Sequence, residues 1–494
     1  MTNKSHELQD LTNRTSEPRD ASIWRRPHHH LRDRSRAIKT NGRGLGRGCR
    51  VDKFVDRFIH TSEATMRRRK ESGEEADNTT PKQRVVLLHL DLGVGGAERL
   101  VVDAALALQA RGHSVQFLTT HHDRSHCFPE TTDGTLKVTT VCDWMPRSVL
   151  GHLYAVCSYL RMIFAAVYLV WFSDLRPDVV VCDQVSACVP VLKWGGARVV
   201  FYCHFPDLML AERSGLLRQI YRWPIDTLEQ WSTGKADTVL VNSKFTGDVF
   251  RRVFPKLADV PLHILHPTTS LSRLDRPLEG SLEDLGIHPS GAVFLSLNRY
   301  ERKKNLGLAL RALELAIREA PCHLVVAGGY DVNHRENVEH YEELQNLAKE
   351  LNIAEHVSFL KSPAEPAKQQ LLHSCRGVIY TPANEHFGIV PLEAMYMRRP
   401  VVACDSGGPT ETVADGETGF LCAPTAESFA SAMVKLAKDR SLSQEMGESG
   451  RERALALFSW DRFERELNRV VFKSKEAPRV EESSAASGSP RRAR

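Results

Sequence analysis

The sequence predicts an α/β protein of two domains, each a doubly wound parallel sheet, with a cleft between them. Three observations predict it. Short apolar runs bounded by turn residues alternate with stretches of helical period, as in strands buried on both faces and joined by crossover helices. A segment at 262–292 rich in Pro, Gly, Ser and Asp interrupts the alternation and divides it into two series. The chain, at 494 residues, is also too long for one ordinary core.

The first series opens at Val85 with RVVLLHLDL, a run fit for a buried parallel strand. GVGGAERLVVDAALALQARG follows, with Leu100, Val101, Ala104 and Leu108 at helical spacing and Gly112 as its stop. HSVQFLTTH reads as the next strand, which completes a strand–helix–strand unit. Further strands are expected at 178–183, 197–203 and 237–242. The second series places strands at 292–300, 323–329, 356–362, 377–382, 400–405 and 419–424, and a last helix from about Ser459 to Phe472. These readings give two Rossmann-like domains, 83–270 and 271–472. They are flanked by a basic extension, 1–80, and a Ser-, Ala- and Arg-rich tail, 473–494, both of disordered composition.

The net charge of +5 sits mainly in the extension, where 18 Lys and Arg face 12 Asp and Glu over residues 1–80. A nucleic-acid binder concentrates basic residues on its folded part, so this distribution does not point to one. The 11 cysteines form no CxxC pair, which points neither to a disulfide framework nor to a zinc site. Cys182 and Cys203 lie in apolar runs and are expected as small core residues. The polar start carries no signal-peptide pattern, and Met66, directly before Arg67, Arg68 and Arg69, is a candidate alternative start. Residues 151–172, GHLYAVCSYLRMIFAAVYLVWF, admit three readings: a buried amphipathic helix, a helix lying in a membrane interface, or a span that Arg161 makes expensive.

In doubly wound sheets ligands bind beyond the carboxyl ends of strands, so chemistry is sought there. Gly93, Gly95 and Gly96 follow the first strand in a GxGG spacing, which suits either a close backbone approach to an anion or simply a tight turn. His204, in YCHFPD, ends another strand, where it can hold a hydroxyl or share a proton, with Asp183 and Asp207 nearby in sequence. Arg299 and Lys304, in NRYERKKN, can clamp a diphosphate, although Arg302, Lys303 and Lys304 can also be a solvated basic run. In PANEHFGIVPLEAM, Gly388 and Ile389 open a helix whose free N–H groups suit a phosphate. Glu385 can hold a sugar hydroxyl or favour a cationic centre, and Glu393, eight residues on, can accept from a ribose diol. Gly407 and Gly408, in SGGPTE, form a further turn whose backbone can face a sugar. No Asp-x-Asp pattern calls for a metal, and the basic pair can neutralise phosphate charge.

These strings together resemble glycosyltransferase family four, the retaining enzymes of GT-B fold, over about 83–472. Within it the chain is similar to the eukaryotic mannosyltransferases that form α-1,3 and α-1,6 linkages in dolichol-linked oligosaccharide assembly. HLDLGVGGAERLVVDAALALQARG, FYCHFPDLML, NRYERKKNL and NEHFGIVPLEAMYM carry the likeness. The resemblance implies GDP-mannose as donor and an acceptor of one mannose on chitobiosyl diphosphodolichol at the cytosolic face of the endoplasmic reticulum; with the basic pair present, no cofactor is expected beside the donor. It also implies other early mannosyltransferases as partners, and makes 83–270 the acceptor side and 271–472 the nucleotide-sugar side. Arg299 and Lys304 would bind the diphosphate, Glu393 the ribose and Glu385 the transferred mannose. His204 would sit at the reacting sugar, and Gly95 and Gly96 would face phosphate or acceptor. Three alternatives stand beside it: a transferase of the same fold using a UDP-sugar and another acceptor, a non-catalytic subunit that binds lipid-linked sugar, and an NAD-dependent dehydrogenase, against which the missing GxGxxG speaks.

Overall fold

Parallel strands of Val, Leu and Ile need both faces covered, and the chain covers them with crossover helices in two consecutive sheets. The computed structural model describes residues 81–149, 152–210, 216–268, 271–278 and 280–472, all within one compact unit. The readings made on 1–80, Met66 and 473–494 lie outside them.

The first sheet has the order β3-β2-β1-β4-β5-β6-β7. Its strands are β1 (Arg84–Asp91), β2 (Ser114–His121), β3 (Lys137–Thr140), β4 (Val179–Asp183), β5 (Arg198–Cys203), β6 (Thr238–Val241) and β7 (Leu262–Ile264). The second has the order β10-β9-β8-β11-β12-β13. It is built from β8 (Ala292–Leu297), β9 (Cys322–Gly328), β10 (Val357–Lys361), β11 (Gly377–Tyr380), β12 (Val401–Cys404) and β13 (Gly419–Cys422). Every pairing between these strands is parallel, and in each sheet the chain reverses its direction of travel beside the first strand, between β1 and β4 and between β8 and β11. A crevice opens at such a switch point, and this is where a ligand fits.

Two short edge strands were not expected. β3 has four residues, and β7 lies inside the segment read as linker. Strands this short carry too little periodicity to stand out, and pairing with β2 and β6 makes them. Described residues of that segment also join the fold, with Leu271, Leu274 and Ile287 in the second sheet's core.

The helix Trp460–Phe472 departs from the division at 271–472. Its apolar stripe, Phe463, Leu467, Val470 and Val471, packs under the first sheet with Leu100, Val101 and Leu108 of the helix Gly96–Ala110. Arg111 bonds Glu464 at 2.6 Å, and the Arg198 guanidinium donates to the carbonyl of Val471 at 2.9 Å. The stripe is plain in the sequence, but which core receives it depends on where the chain leads.

The segment Tyr154–Phe172 is a helix ending in a π-type turn, long and apolar enough to cross a membrane by length and composition. It is built into the first domain instead. Met162, Ala165, Ala166 and Leu169 enter the core, and Arg161 is buried in an ion pair with Asp91 at the end of β1. That pairing explains how an arginine sits in so apolar a helix. The outer stripe, Leu153, Leu160, Phe164 and Trp171, stays exposed, with Trp144 edge-on to Phe164 and Trp194 edge-on to Trp171. Cys182 and Cys203 are buried, as expected.

Candidate active site

Both switch points open on one cavity of about 720 Å³. The first domain contributes Gly96, Ala97 and Leu100 at the start of the helix after β1, His204 after β5 and Asn242 after β6. The second contributes Asn298 and Arg299 after β8, Gly328 and Gly329 after β9, Ser362 after β10, and Glu385 through Val390 after β11. Two helix N-termini, at Gly96 and at Ile389, therefore open on the same space, and their free N–H groups favour an anion there.

The basic run after β8 divides by geometry. Arg302 turns outward to Glu339 and Glu343, and Lys303 pairs with Glu301. Lys304 alone of the three turns inward, where its Nζ meets Glu385 Oε2 at 2.5 Å. A single turn at Arg302–Lys304 and a left-handed Asn305 (φ 50°) precede the helix Leu306–Ala316 and aim the side chain. Burial alone would raise the Glu385 pKa, but the charge and hydrogen bond of Lys304 outweigh it and hold the carboxyl below its ordinary value. Glu385 is thus a carboxylate at neutral pH. Arg299 lines the cavity largely exposed and pairs with Glu301 at 3.0 Å, a pair open to solvent on the arginine side and weak enough to be exchanged for a phosphate.

Glu393 lies one turn into the helix Ile389–Tyr396, buried, with Oε1 2.7 Å from Lys368 Nζ. Lys368 lines the cavity and Glu393 does not. Of this pair it is Lys368, a residue the sequence reading did not single out, that reaches the cavity, with Glu393 bonded behind it.

Gly407 and Gly408 do not face the cavity. A Cβ on Gly407 would stand 2.4 Å from the carbonyl oxygen of Glu385, and one on Gly408 would stand 2.3 Å from Phe387 Cα. Gly408 N–H donates to Glu385 O at 2.7 Å. The turn backs the loop that carries Glu385 rather than meeting a sugar. Glu411, from the same string, crosses to the first domain and accepts from the N–H groups of Lys244 and Phe245 at 2.8 Å each, at the start of the helix Lys244–Val253. Of the first glycine turn, Gly96 lines the cavity, while Gly95 lies behind it as the residue preceding the helix.

His204 lines the cavity and its Nε2 lies 2.8 Å from Asp183 Oδ2. Nearby, His386 stacks on Phe205 with ring centroids 3.9 Å apart, and its carbonyl accepts from Ser243 Oγ at 2.6 Å. Burial, reinforced by the charge of Lys304, holds the His386 pKa below the ordinary histidine value against the pull of Glu385. Asn242, Asn298, Lys368 and His386 were missed by sequence reasoning. Asn242 and Asn298 each follow directly on an apolar strand, which is the signal that could have found them. Lys368 sits in the first turn of the helix Glu365–Ser374 with no local mark.

The arrangement suits a ligand with a charged diphosphate and a polar sugar. Comparisons with known proteins identify the family. The profile of "Glycosyl transferases group 1" matches residues 281–453, and that of "Glycosyltransferase Family 4" matches residues 94–273. The α-1,3/1,6-mannosyltransferase ALG2 of Homo sapiens is 48% identical over 413 residues, covering 82% of this chain and 99% of its own length. That of Dictyostelium discoideum is 42% identical, covering 79% and 98%. That of Saccharomyces cerevisiae is 40% identical, covering 67% and 71%. Among solved structures, the sucrose-phosphate synthase of Thermosynechococcus elongatus superposes with a TM-score of 0.63 at 20% identity, over 78% of this chain and 98% of that one. WaaG, a glycosyltransferase involved in lipopolysaccharide biosynthesis, gives 0.59 at 18%, over 79% and 100%. These two show the GT-B fold. The kinship favours neither a UDP-sugar transferase nor a non-catalytic subunit. On these grounds the chain belongs to glycosyltransferase family 4 and, within it, to the α-1,3/1,6-mannosyltransferases.

Proposed function

We propose that this mannosyltransferase takes mannose from GDP-mannose and adds it in α-1,3 and then α-1,6 linkage to mannosyl-chitobiosyl-diphosphodolichol at the cytosolic face of the endoplasmic reticulum membrane. One observation carries the reading: Lys304 and Glu385 meet at 2.5 Å inside a cavity onto which two helix N-termini open. Arg299, Lys304 and the N–H groups at Gly388 and Ile389 hold the diphosphate, Glu393 with Lys368 holds the ribose, and Glu385 holds the mannose. The acceptor enters from the first domain, beside Gly96 and His204. The basic groups, rather than a metal ion or other cofactor, take up the phosphate charge in this reading.

Retention follows from a same-face displacement. The acceptor hydroxyl oxygen bonds to the anomeric carbon on the side from which the phosphate departs. The carbon–oxygen bond to phosphate breaks, its electron pair stays on the β-phosphate of GDP, and that oxygen takes the hydroxyl proton. The carboxylate of Glu385 favours the cationic sugar, and Lys304 favours the departing charge.

The exposed stripe Leu153, Leu160, Phe164 and Trp171, extended by Trp144 and Trp194, supports docking on the membrane that holds the acceptor. Other early mannosyltransferases are the partners we expect at that membrane.

The test is transfer in detergent or liposomes from GDP-mannose to a lipid-linked mannosyl-chitobiose, with UDP-glucose and UDP-N-acetylglucosamine as controls. A product two mannoses heavier, reduced by about 10²-fold or more in Glu385→Gln, is expected. Transfer from a UDP-sugar alone, or full activity in Glu385→Gln, sinks the reading.

A further inference from the structure

Behind His204 lies a buried group that the proposed mechanism leaves unused. β1 and β4 pair in parallel with Leu88 beside Cys182, so the next residues, His89 and Asp183, fall side by side at the strands' carboxyl ends. His89 Nδ1 lies 2.8 Å from Asp183 Oδ1, and His204 Nε2 lies 2.8 Å from Asp183 Oδ2. His89 and Asp183 are almost wholly buried, whereas the His204 side chain keeps 22% of its surface exposed and lines the cavity.

The hydrogen bonds decide where the protons sit. His89 Nε2 lies 3.1 Å from the carbonyl oxygen of Asp91, which can only accept, so that nitrogen carries a proton. Asp183 is a carboxylate: burial opposes its ionisation, but the charges and hydrogen bonds of His89 and His204 hold its pKa down at about 2. It therefore accepts from Nδ1 of His89, which is then protonated on both nitrogens and positively charged. Burial would lower the His89 pKa, but Asp183, and more weakly Glu98, raise it above the ordinary value. The other oxygen of Asp183 accepts from Nε2–H of His204. The remaining ring nitrogen of His204, Nδ1, makes no hydrogen bond among the described residues.

We infer that His89 and Asp183 are positioning residues that act through His204. They hold its imidazole in the form protonated on Nε2, so that Nδ1 offers a lone pair to a hydroxyl of the sugar at the reacting centre. The inference rests on the proposed role of His204. A buried charge pair costs more to assemble than an apolar pair of the same size, and here it defines one tautomer at the edge of a cavity. Other charged and titratable groups face the trio. Asp91, paired with Arg161, and Glu98, 4.0 Å from His89, lie on the first domain's side. Tyr202, Cys203 and Cys182 flank the strand ends, and Lys304, Glu385 and His386 lie among the residues lining the cavity.

The test compares Asp183→Asn and His89→Gln with the full chain. The readouts are kcat and KM in the GDP-mannose assay from about pH 5 to 8, and ¹⁵N shifts of the His204 ring, assigned by its loss in His204→Gln. An amide at 183 can donate to His204 and turn its proton to Nδ1. Asp183→Asn is then expected to lower kcat by roughly 10²–10⁴-fold, with the KM for GDP-mannose changed less than about threefold, and to move the ring shifts to the other tautomer. His89→Gln keeps a donor to Asp183 but removes the charge. Its kcat is expected to fall on acidification at a higher pH than in the wild type, a change that mere loss of folded protein does not produce. This variant carries the test if Asp183→Asn does not fold. Unchanged ring shifts in Asp183→Asn, or kcat per folded molecule and pH profiles equal to wild type in both variants, overturn the inference. Failure of the wild type to use GDP-mannose sinks the proposed function instead, and the ring shifts, which need no turnover, still decide the tautomer.

Discussion

Replacing Gly407 by alanine perturbs the site from behind, through the backbone of Glu385 and not through its carboxylate. Gly407 adopts φ +71°, and a Cβ there stands 2.4 Å from Glu385 O and 2.7 Å from Glu385 N. Ordinary contact begins at 3.4 Å, so the Glu385 loop must withdraw by about 1 Å, because a packed interior has no slack to absorb the overlap. The left-handed backbone adds roughly 1–2 kcal/mol of strain for a residue with a side chain. Glu385 makes its 2.5 Å contact with Lys304 from that loop, and a carboxylate displaced by about 1 Å loses this geometry. Misplacement of that size costs on the order of 10²-fold in rate. The assay is kcat and KM for mannose transfer alongside urea unfolding. The expected result is a fall in kcat of about 10²-fold and a stability loss of about 1–3 kcal/mol, with the dissociation constant of GDP little changed. A folded Gly407→Ala variant that keeps kcat within about threefold of wild type refutes the argument that this turn supports Glu385.

Glu411→Ala removes an acceptor from two backbone N–H groups of the other domain and is expected to lower unfolding stability by about 1–3 kcal/mol, measured by urea denaturation. Burial would raise the Glu411 pKa, but the hydrogen bonds from His266, Lys244 and Phe245 hold it below its ordinary value. Its contribution is therefore complete above the unfolded carboxylate pKa and is lost as the pH falls through the depressed folded value, so the stability difference between wild type and Glu411→Ala shrinks in acid. Leu467→Ala hollows the contact between the last helix and the first sheet's core, and a loss of about 2–5 kcal/mol is expected in the same measurement. A cost below about 1 kcal/mol would mean that this contact is loose. Trp171→Ala with Trp194→Ala removes half of the exposed aromatic edge, and flotation with liposomes is expected to weaken while transfer to a detergent-solubilised acceptor persists.

Local pattern determined the elements and the places where chemistry could sit. Strands buried on both faces read as unbroken apolar runs, so β1, β4, β5, β6 and the second sheet's strands were visible in advance, and His204, Arg299 and Glu385 were found by looking just past their ends. The edge strands β3 and β7 were not visible, because three or four residues carry no period and their pairing partners make them strands. Tertiary structure alone decided which groups meet. Lys304 and Glu385 are 81 residues apart, His89 and Asp183 are 94 apart, and Glu411 reaches Lys244 across 167. It also decided that Lys304 and not Arg302 turns inward, that Gly407 and Gly408 support a loop instead of facing a sugar, and that the last helix returns to the first sheet. An apolar stripe or a charged side chain specifies the kind of partner it needs. Which partner it finds depends on where the rest of the chain has placed its strands, because burial and ion pairing are set by distance in space rather than by separation along the chain.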